Sequence, residues 1–258
     1  MSEELVVGGE GAVATLVLNR PDRRNALSLA LITQISDALA GIGRNPSLRT
    51  VILSARGPAF CAGHDLAEMR GRDEAFFQTL FGACTAMMLA IRALPQTVIA
   101  AVQGSASAGG CHLVAACDLA VAAEEATFAV PGPAIGLPGT TAMVDVARVV
   151  GPRRAMELLL TGRPIDAETA ERWGLVNRVV PADRLRDEVA GLARGIARGS
   201  GPVLAECKRG VHDGLDRDLA GAYAHARDVM AAAAAGSIAQ EGIAAFLEKR
   251  PPVWPDGA

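Results

Sequence analysis

Two short runs, Thr50-VILSA and Thr97-VIAAV, are apolar at nearly every position, and each leads into a loop of small residues. A strand without polar alternation is buried on both faces, as in a parallel sheet covered by helices. Leu119-AVAA and Thr127-FAV read as two further short strands. Leu5-VV and Val13-ATLVL flank a glycine turn and read as a hairpin. Between the strands the period changes to that of helix. Leu31, Ile32, Ile35 and Leu39 share one face of a helix over 29–42, with Ser28 as its cap, and a second helix covers 73–92. Beyond residue 140 almost everything is helical. Segments beginning at Met143, Pro152 and Asp166 each stop at a glycine. Val176-NRVV is a last extended piece, and helices follow over 182–198, 203–212, 216–236 and 238–249. The pattern predicts an α/β layer with right-handed crossovers and a helical appendage.

Composition excludes several classes of partner. Of 258 residues, half are hydrophobic and 3% aromatic, so the core is built from aliphatic side chains. The formal charge of −3 is spread without a basic stripe, which argues against nucleic acid. Met1-SEELVV has acids where a secretory signal needs bases, and the apolar stretch 97–123 is broken by Gln103, Gly109, Gly110, His112 and Asp118. Neither a signal nor a membrane span is predicted. The five cysteines, an odd number without a C-x-x-C pair, read as reduced thiols in a cytoplasmic protein with no disulfide frame and no metal site.

The loops after the two buried strands have one design. Val51-ILSA feeds Phe60-CAGHDL, and Val98-IAAV feeds Gly104-SASAGGCHL. Small residues let backbone N–H groups point into open space near a helix start. Two such donors aimed at one point form an oxyanion hole.

In this order the loops resemble the enoyl-CoA hydratase/isomerase family, the crotonase superfamily. Its F-x-A-G-x-D-L pattern is matched by Phe60-CAGHDL, and its G-G-C-x-L-x-x-x-C-D pattern by Gly109-GCHLVAACD. Asn19-RPDRRNALS is similar to its entry loop. Arg153-RAMELLLTGRPIDAETAERWGLVNRVVP is similar to its A-x-x-x-x-L-T-G segment, and Gln240-EGIAAFLEKRPPVW to its last helix. Nearly the whole chain is covered. The resemblance implies a spiral of ββα units over 1–195 and a helical trimerisation region over 196–258. It implies acyl-CoA thioester substrates, with coenzyme A part of the substrate and no separate cofactor, and a homotrimer or dimer of trimers. The oxyanion donors would be the N–H groups of His64 and Gly109. Arg24, Ala26, Ala62, His64, Asp65 and Leu66 would line the coenzyme A site, and Phe246 and Lys249 would reach a neighbouring subunit's coenzyme.

The family's hydratases carry two glutamates that hold the added water. Here His112 and Gly132 stand at those positions. An imidazole titrates near neutrality, so His112 is a candidate acid/base as well as a candidate pocket-lining residue. The sequence shows it no partner: Glu124 and Glu125 read as a solvated turn, Asp118 as structural, and the facing of Asp145 is open. Gly63-HDL, Phe128-AVPG and Phe246-LEKRPPVW match a group within the family that lacks the glutamate pair. Two alternatives to an enolate-stabilising enzyme stand beside it. One is a non-catalytic acyl-CoA-binding protein. The other is a serine hydrolase built on Ser107, whose surroundings approach a nucleophile elbow, with His212 or His225 as base. Cys61 and Cys111 flank the loops and read as small buried residues.

Overall fold

The computed structural model describes residues 3–255. It opens with the hairpin β1 (Leu5–Glu10) and β2 (Val13–Leu18), antiparallel from Leu5 opposite Leu18 to Glu10 opposite Val13. Helix α1 (Leu29–Gly43) starts where Ser28 Oγ accepts the Leu31 N–H at 3.1 Å, and it buries Leu31, Ile32, Ile35, Leu39 and Ile42. Then come β3 (Thr50–Ala55), β4 (Ala59–Cys61), α2 (Leu66–Met69) and α3 (Glu74–Ala93). The next turn of chain holds β5 (Thr97–Val102), β6 (Ser105–Ser107) and α4 (Gly109–Ala116). It is followed by β7 (Leu119–Ala123), β8 (Thr127–Ala129) and α5 (Thr140–Val150).

Each of these turns is a long strand, a short strand and a helix, which is the ββα repeat that the resemblance implies. The strands sort into two sheets, a correction to the single layer read from the sequence. With β10 (Arg178–Val180), the long strands form a six-stranded sheet in the order β1-β2-β3-β5-β7-β10. With β9 (Ile165–Asp166), the short ones form a second sheet in the order β4-β6-β8-β9. Strands β4 and β6 fall where loops are expected, because a strand of three residues carries no readable period.

The main core lies between the sheets and the helices and includes Leu16, Ile35, Leu53, Phe60, Leu80 and Phe128. By length and composition α3 could cross a membrane, but Leu80, Cys84, Met87, Met88 and Ile91 on one face are buried, and the helix packs on α1. Helices α6 (Pro152–Thr161) and α7 (Ala167–Trp173) continue the chain, and α8 (Leu185–Ile196) covers a second cluster with Leu185, Val189 and Ala193. The expected boundary at 195/196 falls in the last turn of α8.

Past it come α9 (Gly201–Leu215), α10 (Leu219–Ala235) and α11 (Ser237–Leu247). Neither α9 nor α10 has a buried residue. What fastens α9 is Lys208, whose Nζ lies 2.7 Å from Asp118 Oδ2 and donates to the carbonyls of Ile91 and Gln96 at 2.8 and 3.2 Å. Asp118 also accepts the Val98 N–H at 2.7 Å, so its role is structural.

Candidate active site

Three backbone segments converge at the mouth of the second sheet. The Leu27 N–H donates to Gly63 at 2.8 Å and the Asp65 N–H to Leu27 at 3.1 Å, which pairs Leu27 with His64 as a parallel bridge. The Ala62 N–H donates to Arg24 at 3.0 Å. On the other side the loop presses against the start of α4. A Cβ on Gly63 (φ 90°) would stand 2.9 Å from Ala108 Cβ and 3.0 Å from Gly109 N. A Cβ on Gly110 would stand 2.1 Å from the Cys61 carbonyl oxygen. Only glycine lets the two loops meet this closely.

The turn from β6 into α4 is made by Ala108 at φ 49°, ψ −113°, a conformation costing about 1–3 kcal/mol in an alanine. Its N–H is held by the Ala129 carbonyl at 2.8 Å. This strain sets Gly109 as the first residue of α4, with an N–H that the helix leaves unsatisfied. Among the described residues neither the His64 nor the Gly109 N–H has an acceptor. Two adjacent free donors at the positive end of a helix can hold an oxyanion.

His112 stands one turn further along α4, 5% exposed. Its Nε2 lies 2.8 Å from Asp145 Oδ2 on α5, the helix packed against α4. The partner that the sequence reading lacked is therefore Asp145. Ala142, one turn before it on α5, is buried, so position 145 adjoins the packed face of that helix.

The His64 ring stands edge-on to Phe81, with centroids 5.1 Å apart. Its Nε2 is buried without a partner among the described residues. Burial and the neighbouring His112 pull its pKa down to about 4, so the ring is neutral near pH 7. Phe76 and Phe77 continue the aromatic stripe on α3 beside Phe81. Three of the six phenylalanines thus form one cluster, which meets His64 through Phe81, a concentration that the sequence reading passed over.

The remaining candidates divide. Arg24, Ala62 and Leu66 are exposed at the rim of the site. Ala26 is buried, and its carbonyl accepts from Arg20. The Asp65 carboxylate is engaged: it caps α2 through the Ala67 and Glu68 N–H groups and pairs with Arg20 Nη2 at 3.0 Å. Burial would raise its pKa, but Arg20 and the cap bonds outweigh that and hold it below the usual range. Asn25 was overlooked. Fully buried, it donates to the Arg56 and Ala59 carbonyls, both at 2.8 Å, and stitches the entry loop to β4.

Gly132 is buried at the start of a 3-10 turn, and its carbonyl accepts the Leu137 N–H at 2.9 Å. A Cβ there would lie 2.6 Å from the Leu137 carbonyl oxygen. Main chain therefore fills the space beside it, and the position has no room for a side chain. Phe246 is 83% exposed, and Lys249 is exposed past the end of α11.

The two thiols that flank the loops are poor nucleophile candidates: burial pushes Cys61 and Cys111 up to about 12. The strained elbow residue is Ala108 instead of Ser107. His212 faces Asp118 at 3.8 Å and His225 faces Asp213 at 3.6 Å, so each has a carboxylate other than a Ser107 partner beside it. Glu124 and Glu125 are exposed. Among the described residues, no group of three or more His, Cys, Asp and Glu side chains could hold a metal ion. A cleft of about 1200 Å³ runs between α8 and the six-stranded sheet, lined by Val13, Thr15, Ile52, Leu185 and Arg194, and contains none of these site residues.

The enoyl-CoA hydratase/isomerase family model matches residues 8–257. Human enoyl-CoA hydratase domain-containing protein 3, mitochondrial, is 42% identical over 245 residues, spanning 94% of this chain and 80% of that protein. The crystal structure of an enoyl-CoA hydratase from Mycobacterium smegmatis superposes with a TM-score of 0.95 at 43% identity, covering 98% of this chain and 99% of that one. That of human enoyl-CoA hydratase domain-containing protein 3 gives 0.95 at 39% identity, covering 98% and 100%. The fold is thus the crotonase fold, and the group matched by Gly63-HDL and Phe128-AVPG is that of domain-containing protein 3. One expectation is overturned. The human, zebrafish and rat relatives are all named mitochondrial, which speaks against a cytoplasmic location. Reduced cysteines could not discriminate, because they mark a reducing environment and not one compartment.

Proposed function

The chain belongs to the enoyl-CoA hydratase/isomerase family, and from that premise we propose that it binds an acyl-CoA thioester and stabilises the thioester enolate between the N–H groups of His64 and Gly109, with His112 as the group that moves the proton. The observation that carries this reading is the pair of free N–H donors beside a buried, carboxylate-paired histidine.

Loss of a proton from the acyl α-carbon puts negative charge on the thioester oxygen. Two fixed donors at a helix start stabilise that charge more than they stabilise the neutral carbonyl. His112 takes the proton and can return it to the α-carbon or, when a 3,4 double bond extends the enolate to a dienolate, to the γ-carbon. One acid/base group suffices for such a transfer. Hydration needs a second group to hold water. The position where the resemblance puts that group is Gly132, closed by the Leu137 carbonyl. Proton transfer at the acyl carbons is therefore favoured over addition of water. The acyl chain would lie against Phe76, Phe77 and Phe81. Arg24, Ala62 and Leu66 would meet the coenzyme A moiety, which is part of the substrate. The exposed apolar residues of α9, α10 and α11 support a trimer or dimer of trimers.

The same absence of a titratable side chain at position 132 supports a non-catalytic acyl-CoA-binding protein as the second reading. The test is titration with butanoyl-CoA together with turnover of 2-enoyl- and 3-enoyl-CoA thioesters, using wild type and His112→Ala. The enzyme reading predicts that both proteins bind and only wild type interconverts the enoyl thioesters. Binding without turnover by either would favour the binder, and no binding would remove both readings.

A further inference from the structure

We propose that Asp145 is a positioning residue that fixes the tautomer of His112, so that Nδ1 and not Nε2 is the atom that takes and returns the substrate proton. A neutral imidazole carries one N–H and one lone pair, and an ionised carboxylate only accepts. At 2.8 Å from Asp145 Oδ2, Nε2 must therefore donate. Nδ1 is left with its lone pair and has no partner among the described residues.

The contact is built between two packed elements. His112 sits in α4, with its side chain 6% exposed. Asp145 sits in α5, 20% exposed, beside the buried anchors Ala142 and Val146. Neither partner hangs from a loop, so the ring is held by packing as well as by the hydrogen bond. When Nδ1 takes a proton from the acyl carbon, the ring becomes an imidazolium whose charge is balanced by the carboxylate already beside Nε2. The carboxylate stays ionised, and the proton on Nδ1 is the one returned to carbon. No other atom gains or loses a proton. His64, whose pKa lies far below neutrality, adds no competing positive charge to this pair. The catalytic consequence rests on the function proposed above, whereas the tautomer assignment does not.

The experiment is nitrogen-15 NMR of histidine-labelled protein in mildly alkaline buffer, where an ordinary imidazole is neutral. With four histidines in the chain, the His112 signals are assigned by their loss in His112→Gln. The expected result is a single tautomer with the proton on Nε2, replaced by a tautomer mixture in Asp145→Ala. Alanine keeps the propensity of α5 for helix, and the circular dichroism spectrum of the variant is compared with that of wild type before its tautomer is read. With a thioester that wild type turns over, Asp145→Ala should lose about 10²- to 10⁴-fold in kcat at unchanged KM, and Asp145→Glu should recover part of it. A proton on Nδ1 in wild type, or an unchanged tautomer in Asp145→Ala, would overturn the proposal. So would an unchanged kcat. If wild type turned over no thioester, the functional reading would fall, and the spectra would still decide the tautomer.

Discussion

His112 and Asp145 are 33 positions apart in the chain and 2.8 Å apart in space. A motif read along the sequence finds the first and misses the second, because the distance is closed by the packing of α5 on α4. The oxyanion donors differ in this respect. Gly63, Gly109 and Gly110 stand in compact patterns, and the need for glycine at two of them follows from contacts under 3 Å. Two predictions belong to this scale. Gly132→Glu, which puts back a carboxylate where the family's hydratases have one, drives its Cβ into the Leu137 carbonyl. It should lower stability by about 1–3 kcal/mol in urea unfolding and add no hydration of crotonyl-CoA. A variant as stable as wild type that hydrates this thioester would contradict the closed turn. The second concerns acid. His64 has a pKa of about 4 when folded and an ordinary imidazole value, near 6.5, when unfolded. Below the unfolded value the denatured chain binds a proton that the native state refuses. Stability is therefore full above about pH 6.5 and is lost as the pH falls toward 4, by on the order of 3 kcal/mol. Denaturant unfolding across this range should show the slope in wild type and a smaller one in His64→Phe.

At the level of elements, the long strands and most helices were legible because each carries a period or a cap. Ser28, Asp73 and Asp166 were all readable as helix starts, and each caps its helix with a side-chain hydrogen bond. The division into two sheets was not legible. It depends on β4, β6 and β8, three residues each, whose pairing is set by neighbours and not by their own composition. The docking of α9 was equally hidden, since a lysine in an amphipathic helix usually faces water. Lys208→Ala would leave the Asp118 carboxylate and the Ile91 carbonyl without their shared donor. It should cost about 3–5 kcal/mol and speed hydrogen exchange along α9. Unchanged exchange in α9 would show that Lys208 does not fasten it.

On the scale of the whole molecule, the single chain leaves much apolar surface uncovered. Leu215, Leu219, Tyr223, Met230, Phe246 and Leu247 are each more than 60% exposed, all on the last three helices. Patches of this kind mark interaction surfaces. Light scattering should give the mass of a trimer or hexamer, and Tyr223→Glu with Met230→Glu should give a smaller species. A monomeric wild type would contradict this.

The central claim is that the His64 and Gly109 N–H groups stabilise an enolate whose proton is moved by His112. Deuterium exchange tests it without reference to any particular product. Butanoyl-CoA is incubated with the protein in deuterium oxide and its mass is followed. The account predicts deuterium at the α-carbon with wild type and none above background with His112→Ala. Bound butanoyl-CoA that gains no deuterium from wild type, or gains it equally from His112→Ala, would contradict the account.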